Sequence, residues 1–197
     1  KYEEIKNAAK AGVDINTDVA NDSDTAAKSV SVKSTVYDKA GDIVSAQTDD
    51  IEIPAGATKT ISQSVEVLNP KLWSVDSPNL YWVRTEIIQN GKVVDSTDSR
   101  FGIRYIATDP NSGFYLNGVH TKLNGVCEHS DLGSLGMETY QAAVDRRIRT
   151  LKKYGVNAIR TSHNPVSPEF IEACDRLGML VFEEAFDQWL YSKNSDD

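Results

Sequence analysis

Apolar side chains follow two rhythms in this chain. Up to about Pro110 they alternate with polar ones: Val30, Val32 and Val36, then Ile51 and Ile53, then Ile61, Val65 and Val67, then Tyr81, Val83, Thr85 and Ile87. A period of two is that of a half-buried strand, whose successive side chains point to opposite faces. Turn formers separate the runs: Asp38-Lys39-Ala40-Gly41-Asp42 before Ile43 and Val44, then Pro54-Ala55-Gly56, then Asn90-Gly91 leading to Val93 and Val94. This half lacks a helical period, so the pattern predicts an antiparallel β-sandwich of about seven strands.

From Gly113 the rhythm changes. Phe114-Tyr115-Leu116 and Val119-His120-Thr121 flank Asn117-Gly118 as a small hairpin, and Lys122 to Cys127 reads as a strand. Met137, Tyr140, Val144, Ile148, Leu151 and Tyr154 recur at steps of three and four, which predicts an amphipathic helix ended by Gly155. A short strand, Val156 to Arg160, follows. A second helix has Ser167 as its cap, Pro168 in its first turn and Glu169 at the positive end of its dipole. Phe170, Ile171, Cys174 and Leu177 form its apolar face, Gly178 stops it, and Met179 to Phe182 is a wholly apolar strand. The order strand-helix-strand-helix-strand predicts a parallel sheet covered by helices. Ligands of such sheets bind at the C-terminal ends of the strands. The polar cluster of NAIRTSHNP (Asn157 to Pro165) falls at one such end, and Glu183 at the equivalent place one unit later.

Composition narrows the function. A formal net charge of −8 with no basic stripe argues against a nucleic-acid partner. No apolar run approaches the ~20 residues that span a bilayer, and KYEEIKNAAK lacks a signal-peptide core. A soluble protein of cytoplasm or periplasm is expected. The first residue is Lys, so an excised piece of a longer chain is expected too. Two cysteines, Cys127 and Cys174, are too few for a disulfide framework, and Cys174 on a helix's apolar face reads as a buried thiol.

Several motifs carry a resemblance. GFYLNG (Gly113 to Gly118), LNGVCEHSDLGSLG (Leu123 to Gly136), NAIRTSHNP and CDRLGMLVFEEAFDQW (Cys174 to Trp189) resemble, in order and spacing, glycoside hydrolase family two, with the flavour of its β-galactosidases. LWSVDSPNLY (Leu72 to Tyr81) and RFGIR (Arg100 to Arg104) resemble that family's immunoglobulin-like domain. The resemblance implies an immunoglobulin-like β-sandwich over 1–108, followed over 109–197 by the truncated beginning of an α/β (TIM) barrel with its first three strands. It further implies a retaining enzyme acting on terminal β-galactosides through two glutamates ~5 Å apart. The acid/base glutamate of the family follows an Asn, and this sequence has no Asn-Glu pair. The chain alone is therefore expected to be inactive, with no catalytic residue of its own. The family's Mg²⁺ or Na⁺ would belong to the intact enzyme, and no cofactor or metal is expected in this chain. Whether the intact enzyme is a homo-oligomer is left open.

The candidate sugar-binding residues follow. Arg160, at a strand's end, either pairs with Glu183 or Glu184 on the next strand or holds a catalytic carboxylate ionised. The resemblance makes His163 a contact of the sugar. Asn164 shares that role or simply starts a turn with Pro165. His129 and Asp131 either line the pocket or hold their own loop. Glu183 and Glu184 are adjacent in a strand and so face opposite ways. The resemblance makes Glu184 the inward one, with an electrostatic or hydroxyl-binding part. Asp187 would accept sugar hydroxyls, and Trp189 would stack on the sugar ring or pack in the core. Trp73 reads as structural.

Three other functions compete. A β-glucuronidase or β-mannosidase of the same family would take its specificity from residues outside this stretch. A non-catalytic carbohydrate-binding or interaction module would have no chemistry of its own. A metal-dependent hydrolase would use His129, Asp131 and His163, against which stands the total of 3 His.

Overall fold

The computed structural model describes residues 8–186. It divides into two compact units, one holding the residues up to Leu72 with Asn79–Ile103, the other Trp73–Pro78 with the chain from Arg104 on.

The first unit is a sandwich. Its strands are β1 (Lys10–Ala20), β2 (Lys28–Tyr37), β3 (Ile43–Ile53), β4 (Thr58–Leu68), β5 (Tyr81–Gln89) and β6 (Lys92–Phe101). β1 pairs with β4, and the other four form a sheet in the order β3-β2-β5-β6. All pairings are antiparallel. Strand β1 is additional to the runs singled out in the sequence, although Val13, Ile15, Thr17 and Val19 alternate there with polar residues. Ile43 to Ile53 is one continuous strand rather than two short runs. The Asn90-Gly91 turn is as expected, with both residues at positive φ, 51° and 73°.

The sandwich core comes in two clusters. Ile15, Val36, Val65, Val67, Tyr81 and Val83 form one, and Val19, Val30, Val32 and Ile53 the other. Buried polar side chains share this interior. Ser34 donates to Gln63 at 2.7 Å and lies 3.2 Å from the Thr85 hydroxyl. Gln63 in turn donates to the Val32 carbonyl and to Asp49. These buried groups therefore have partners, without which each would weaken the fold.

The second unit opens with a small antiparallel sheet: β7 (Ile106–Asp109), β8 (Gly113–Leu116) and β9 (Val119–His120). The hairpin turn is Asn117-Gly118, again with both φ values positive. Asn117 is buried and does more than turn the chain. Its Oδ1 accepts from the Tyr105 amide at 2.9 Å, and its Nδ2 donates to the Trp73 carbonyl at 2.8 Å. Trp73 is structural, as expected. Its ring is 2% exposed, its indole N–H donates to the Asp175 carbonyl at 2.7 Å, and the Arg104 guanidinium lies 4.8 Å from the ring centre.

A parallel sheet follows, in the order β10 (Gly125–Glu128), β11 (Ala158–Thr161), β12 (Leu180–Phe182). Helices α1 (Gln141–Lys153) and α2 (Pro168–Leu177) connect its strands. One face of the sheet, Val126, Ile159 and Val181, packs with Val144 and Ile148 of α1 and Phe170, Ala173 and Cys174 of α2. Helix α2 is punctuated as the sequence predicts. Ser167 Oγ accepts from the Phe170 amide, Pro168 is the first helical residue, and Gly178 ends the helix at φ 78°.

Helix α1 is shorter than its apolar period predicts. Met137 lies before it and is 76% exposed, Tyr140 is its N-cap, and Tyr154 follows it exposed. The cause is local. Gly133–Leu135 make a 3-10 turn between Gly133 and Gly136, both at positive φ, and the Asp131 carboxylate accepts from the Gly133 amide. An α-helix cannot run through a residue in that conformation.

Among the described residues no helix is long and apolar enough to cross a membrane.

Candidate functional site

Strand register decides which side chains share the face that the helices leave uncovered. Cys127 pairs with Arg160, and Arg160 with Phe182, across the three strands. These residues alternate with Val126, Ile159 and Val181, which face the helices. The uncovered row is thus Cys127, Arg160 and Phe182, and parity carries it on past β12 to Glu184. The expectation that Glu183 and Glu184 are adjacent within a strand is not met, because the strand ends at Phe182 and both follow it.

Arg160 and Glu184 meet at the C-terminal ends of β11 and β12. Arg160 Nε donates to Glu184 Oε1 at 2.7 Å, and Nη2 lies 2.5 Å from the same oxygen. Arg160 is thus paired with a carboxylate just after the next strand. His163 Nδ1 lies 2.9 Å from Glu184 Oε2 and 3.4 Å from Arg160 Nη2. Arginine has only protons to give, so Nδ1 cannot accept from it while donating to the carboxylate. The shorter, charge-assisted contact to Glu184 is the hydrogen bond, which puts the proton on Nδ1. In a neutral His163, Nε2 is then free to accept a hydrogen bond.

Both oxygens of Glu184 are therefore engaged. Partial burial pushes its carboxyl pKa up, but the Arg160 and His163 hydrogen bonds together outweigh that and hold it below the usual glutamate range. Glu184 in turn raises the pKa of Arg160, and Cys127 adds to the effect. The group is a fixed carboxylate with a cation and an imidazole at its edges. It presents hydrogen-bonding atoms to whatever occupies the sheet's C-terminal end.

Two of its supports lie within the motifs named above but are not among the candidate site residues read from them. The buried Thr161 Oγ1 accepts from the Glu184 amide at 3.0 Å, fixing the backbone from which Glu184 projects. Arg160 Nη1 lies 3.9 Å from Cys127 Sγ. Strand parity could have picked out Cys127, because Gly125 to Glu128 puts it two residues from Gly125 on the same face.

The other expected residues divide. His129 stands edge-on to His163, ring centres 6.0 Å apart, and so borders the group. Asp131 does not join it, since its carboxylate accepts from the Gly133 amide and its carbonyl from Arg147. It holds its own loop. Asn164 is exposed in the bend after His163 and makes no side-chain hydrogen bond among the described residues. Asp187 and Trp189 lie outside the described residues. Among those described, no three His, Cys, Asp or Glu side chains gather as metal ligands. With Asp131 turned to Gly133, the set His129, Asp131 and His163 does not fit a metal centre.

The model of "Glycosyl hydrolases family 2" matches residues 1–104, and that of "Glycosyl hydrolases family 2, TIM barrel domain" matches residues 108–190. A beta-galactosidase of Bacteroides ovatus is 39% identical over 188 residues, covering 95% of this chain and 22% of that protein. The crystal structure of a glycosyl hydrolase family 2 member from Bacteroides cellulosilyticus superposes with a TM-score of 0.90 at 39% identity, covering 96% of this chain and 24% of that one. A Bacteroides uniformis beta-glucuronidase superposes with a TM-score of 0.84 at 31% identity, covering 91% and 22%. The chain thus spans about a quarter of the length of these relatives. It comprises the sandwich and the start of the barrel expected from its sequence.

Proposed function

The chain belongs to glycosyl hydrolases family 2, and from that premise we propose that the whole protein is a retaining glycoside hydrolase acting on terminal β-galactosides. The observation that carries this reading is the convergence of Arg160, His163 and Glu184 at the C-terminal ends of parallel strands, where substrates of such sheets bind. The similarity to a beta-galactosidase along 95% of the chain favours the galactoside.

In this proposal the chain supplies part of the sugar pocket and none of the displacement chemistry. Glu184 stays ionised and accepts from sugar hydroxyls, while His163 offers Nε2 and orients the carboxylate. His129 borders the same pocket, Asn164 and Asp187 add hydroxyl contacts, and Trp189 stacks on the ring. Retention requires two carboxyl groups ~5 Å apart on either side of the scissile bond. Glu128 is paired with Arg147 at 2.7 Å, and the sequence has no Asn-Glu pair. In this reading the acid/base and nucleophile glutamates, with any Mg²⁺ or Na⁺ beside them, belong to the rest of the protein.

A glucuronide is the second reading, drawn from the beta-glucuronidase likeness. Hydrolysis of p-nitrophenyl β-galactoside, β-glucuronide and β-mannoside by the whole protein, with this chain alone as control, tests both. Galactoside cleavage by the whole protein only is expected. Cleavage of a different sugar overturns the specificity, and activity of this chain alone overturns the division of labour.

A further inference from the structure

We infer that Lys152 serves as a resident monovalent cation, its ammonium filling a cage of backbone carbonyls that fastens Trp73–Pro78 to the C-terminal end of α2. Lys152 Nζ lies 2.5 Å from the Val75 carbonyl oxygen, 2.7 Å from that of Leu177 and 2.9 Å from that of Gly178. An ammonium has three protons and no acceptor. Three carbonyls therefore use its whole hydrogen-bonding capacity. Among the described residues no carboxylate forms an ion pair with it, and Asp76 acts on it only through its charge. The charge is met by dipoles, as in carbonyl sites that replace the hydration shell of potassium.

Two of these oxygens come from the end of a helix, where the last carbonyls lack intrahelical partners and carry partial negative charge. The basic residue in the last turn of α2 itself does not serve them. Arg176 is turned to Asp145, with Nη2–Oδ1 2.7 Å and Nη1–Oδ2 3.1 Å. The cation is delivered from α1 instead. The third oxygen reaches the cage because residue 178 is glycine. A Cβ there would lie 2.2 Å from the Val75 carbonyl oxygen. The Trp73 indole bond to Asp175 fixes the same segment one turn away.

Emptying the cage and refilling it with a free ion is the test. Hydrogen exchange of Trp73–Pro78 and Asp175–Gly178 is followed by mass spectrometry in the full chain, in choline chloride and in potassium or ammonium chloride at equal ionic strength. Lys152→Ala is expected to exchange these segments faster in choline, on the order of ten-fold, and to regain protection in potassium or ammonium. Lys152→Met, which keeps the cage filled with an uncharged chain, is expected to exchange fast in every salt, and the unsubstituted protein to be indifferent. Undiminished protection of Lys152→Ala in choline overturns the inference, as does fast exchange that potassium and ammonium leave unchanged. Should Lys152→Ala fold in neither salt, amine labelling of the unsubstituted protein decides. Lys152 resists while Lys153 reacts if the cage is closed, and equal reaction of the two overturns it.

Discussion

Arg160 Nε and Glu184 Oε1 lie 2.7 Å apart, joining the ends of β11 and β12 on the face the helices leave uncovered. With His163 on the other oxygen, this pair keeps Glu184 ionised. Its titration is the direct check. The Glu184 carboxyl, followed by NMR, is expected below the ordinary glutamate value of 4.5. Arg160→Ala should move it up. A depressed folded-state value stabilises the fold above the unfolded pKa, and that contribution is lost as pH falls through the folded one. Acid unfolding of Arg160→Ala should therefore differ less from that of Glu184→Gln than either differs from the parent. A Glu184 titration at or above 4.5 would contradict the arrangement.

His163 orients Glu184 and faces the proposed pocket, whereas Asn164 is exposed in the bend beyond it. In the whole protein His163→Ala is expected to lower kcat/KM on the order of a hundred-fold, because small misplacements of a binding group cost that much. Asn164→Ala should cost under about ten-fold. Neither change should move the melting temperature by more than about 2 °C, since the site is largely exposed. Equal losses in both variants would remove the special place given to His163.

The two thiols differ in reach. Cys127 is exposed, whereas Cys174 is 1% exposed and burial pushes its pKa up to about 12. Native protein should react with a single equivalent of a thiol reagent, at Cys127, and with a second only after denaturation. Peptide mapping of the modified chain reads this out, and early modification of Cys174 would mean that the α2 core opens.

Gly178→Ala meets two obstacles, a backbone at φ 78° and the Val75 oxygen in the place of its Cβ. Left-handed strain and overpacking together predict a loss of about 2–4 kcal/mol, measurable by urea unfolding. Ser167→Ala should lose about 1 kcal/mol through the missing helix cap. A Gly178→Ala variant as stable as the parent would place Val75 elsewhere.

What was legible in the sequence was local chemistry. Asn90-Gly91, Asn117-Gly118, Ser167-Pro168 and Gly178 each announced a turn or a helix end, because each supplies a conformation few other residues allow. The start of α1 departs from its apolar period. Met137 and Tyr140 keep the helical period, yet the Gly133 to Gly136 turn overrides it. Strand parity predicts that Glu183 and Glu184 face opposite ways, but the strand ends before both. Parity could not say which carboxylate Arg160 would choose, because that depends on the register of β11 against β12. The contribution of Thr161 rests on a contact between residues 161 and 184, and Trp73 reaches across to Asp175. Neither leaves a mark in any short window of sequence.

The excursion of Trp73–Pro78 bears on how such proteins can recombine. This segment is encoded in the middle of the sandwich, yet its Trp73 indole, Val75 carbonyl and Trp73 carbonyl are bonded to Asp175, Lys152 and Asn117. A chimera that swaps residues 8–103 for those of a relative would also import a foreign cap for α2. Functional hybrids should therefore be those that transplant Trp73–Pro78 together with its receptors on the helices. A crossover placed at the visible junction near residue 104 would separate residues that must be inherited together.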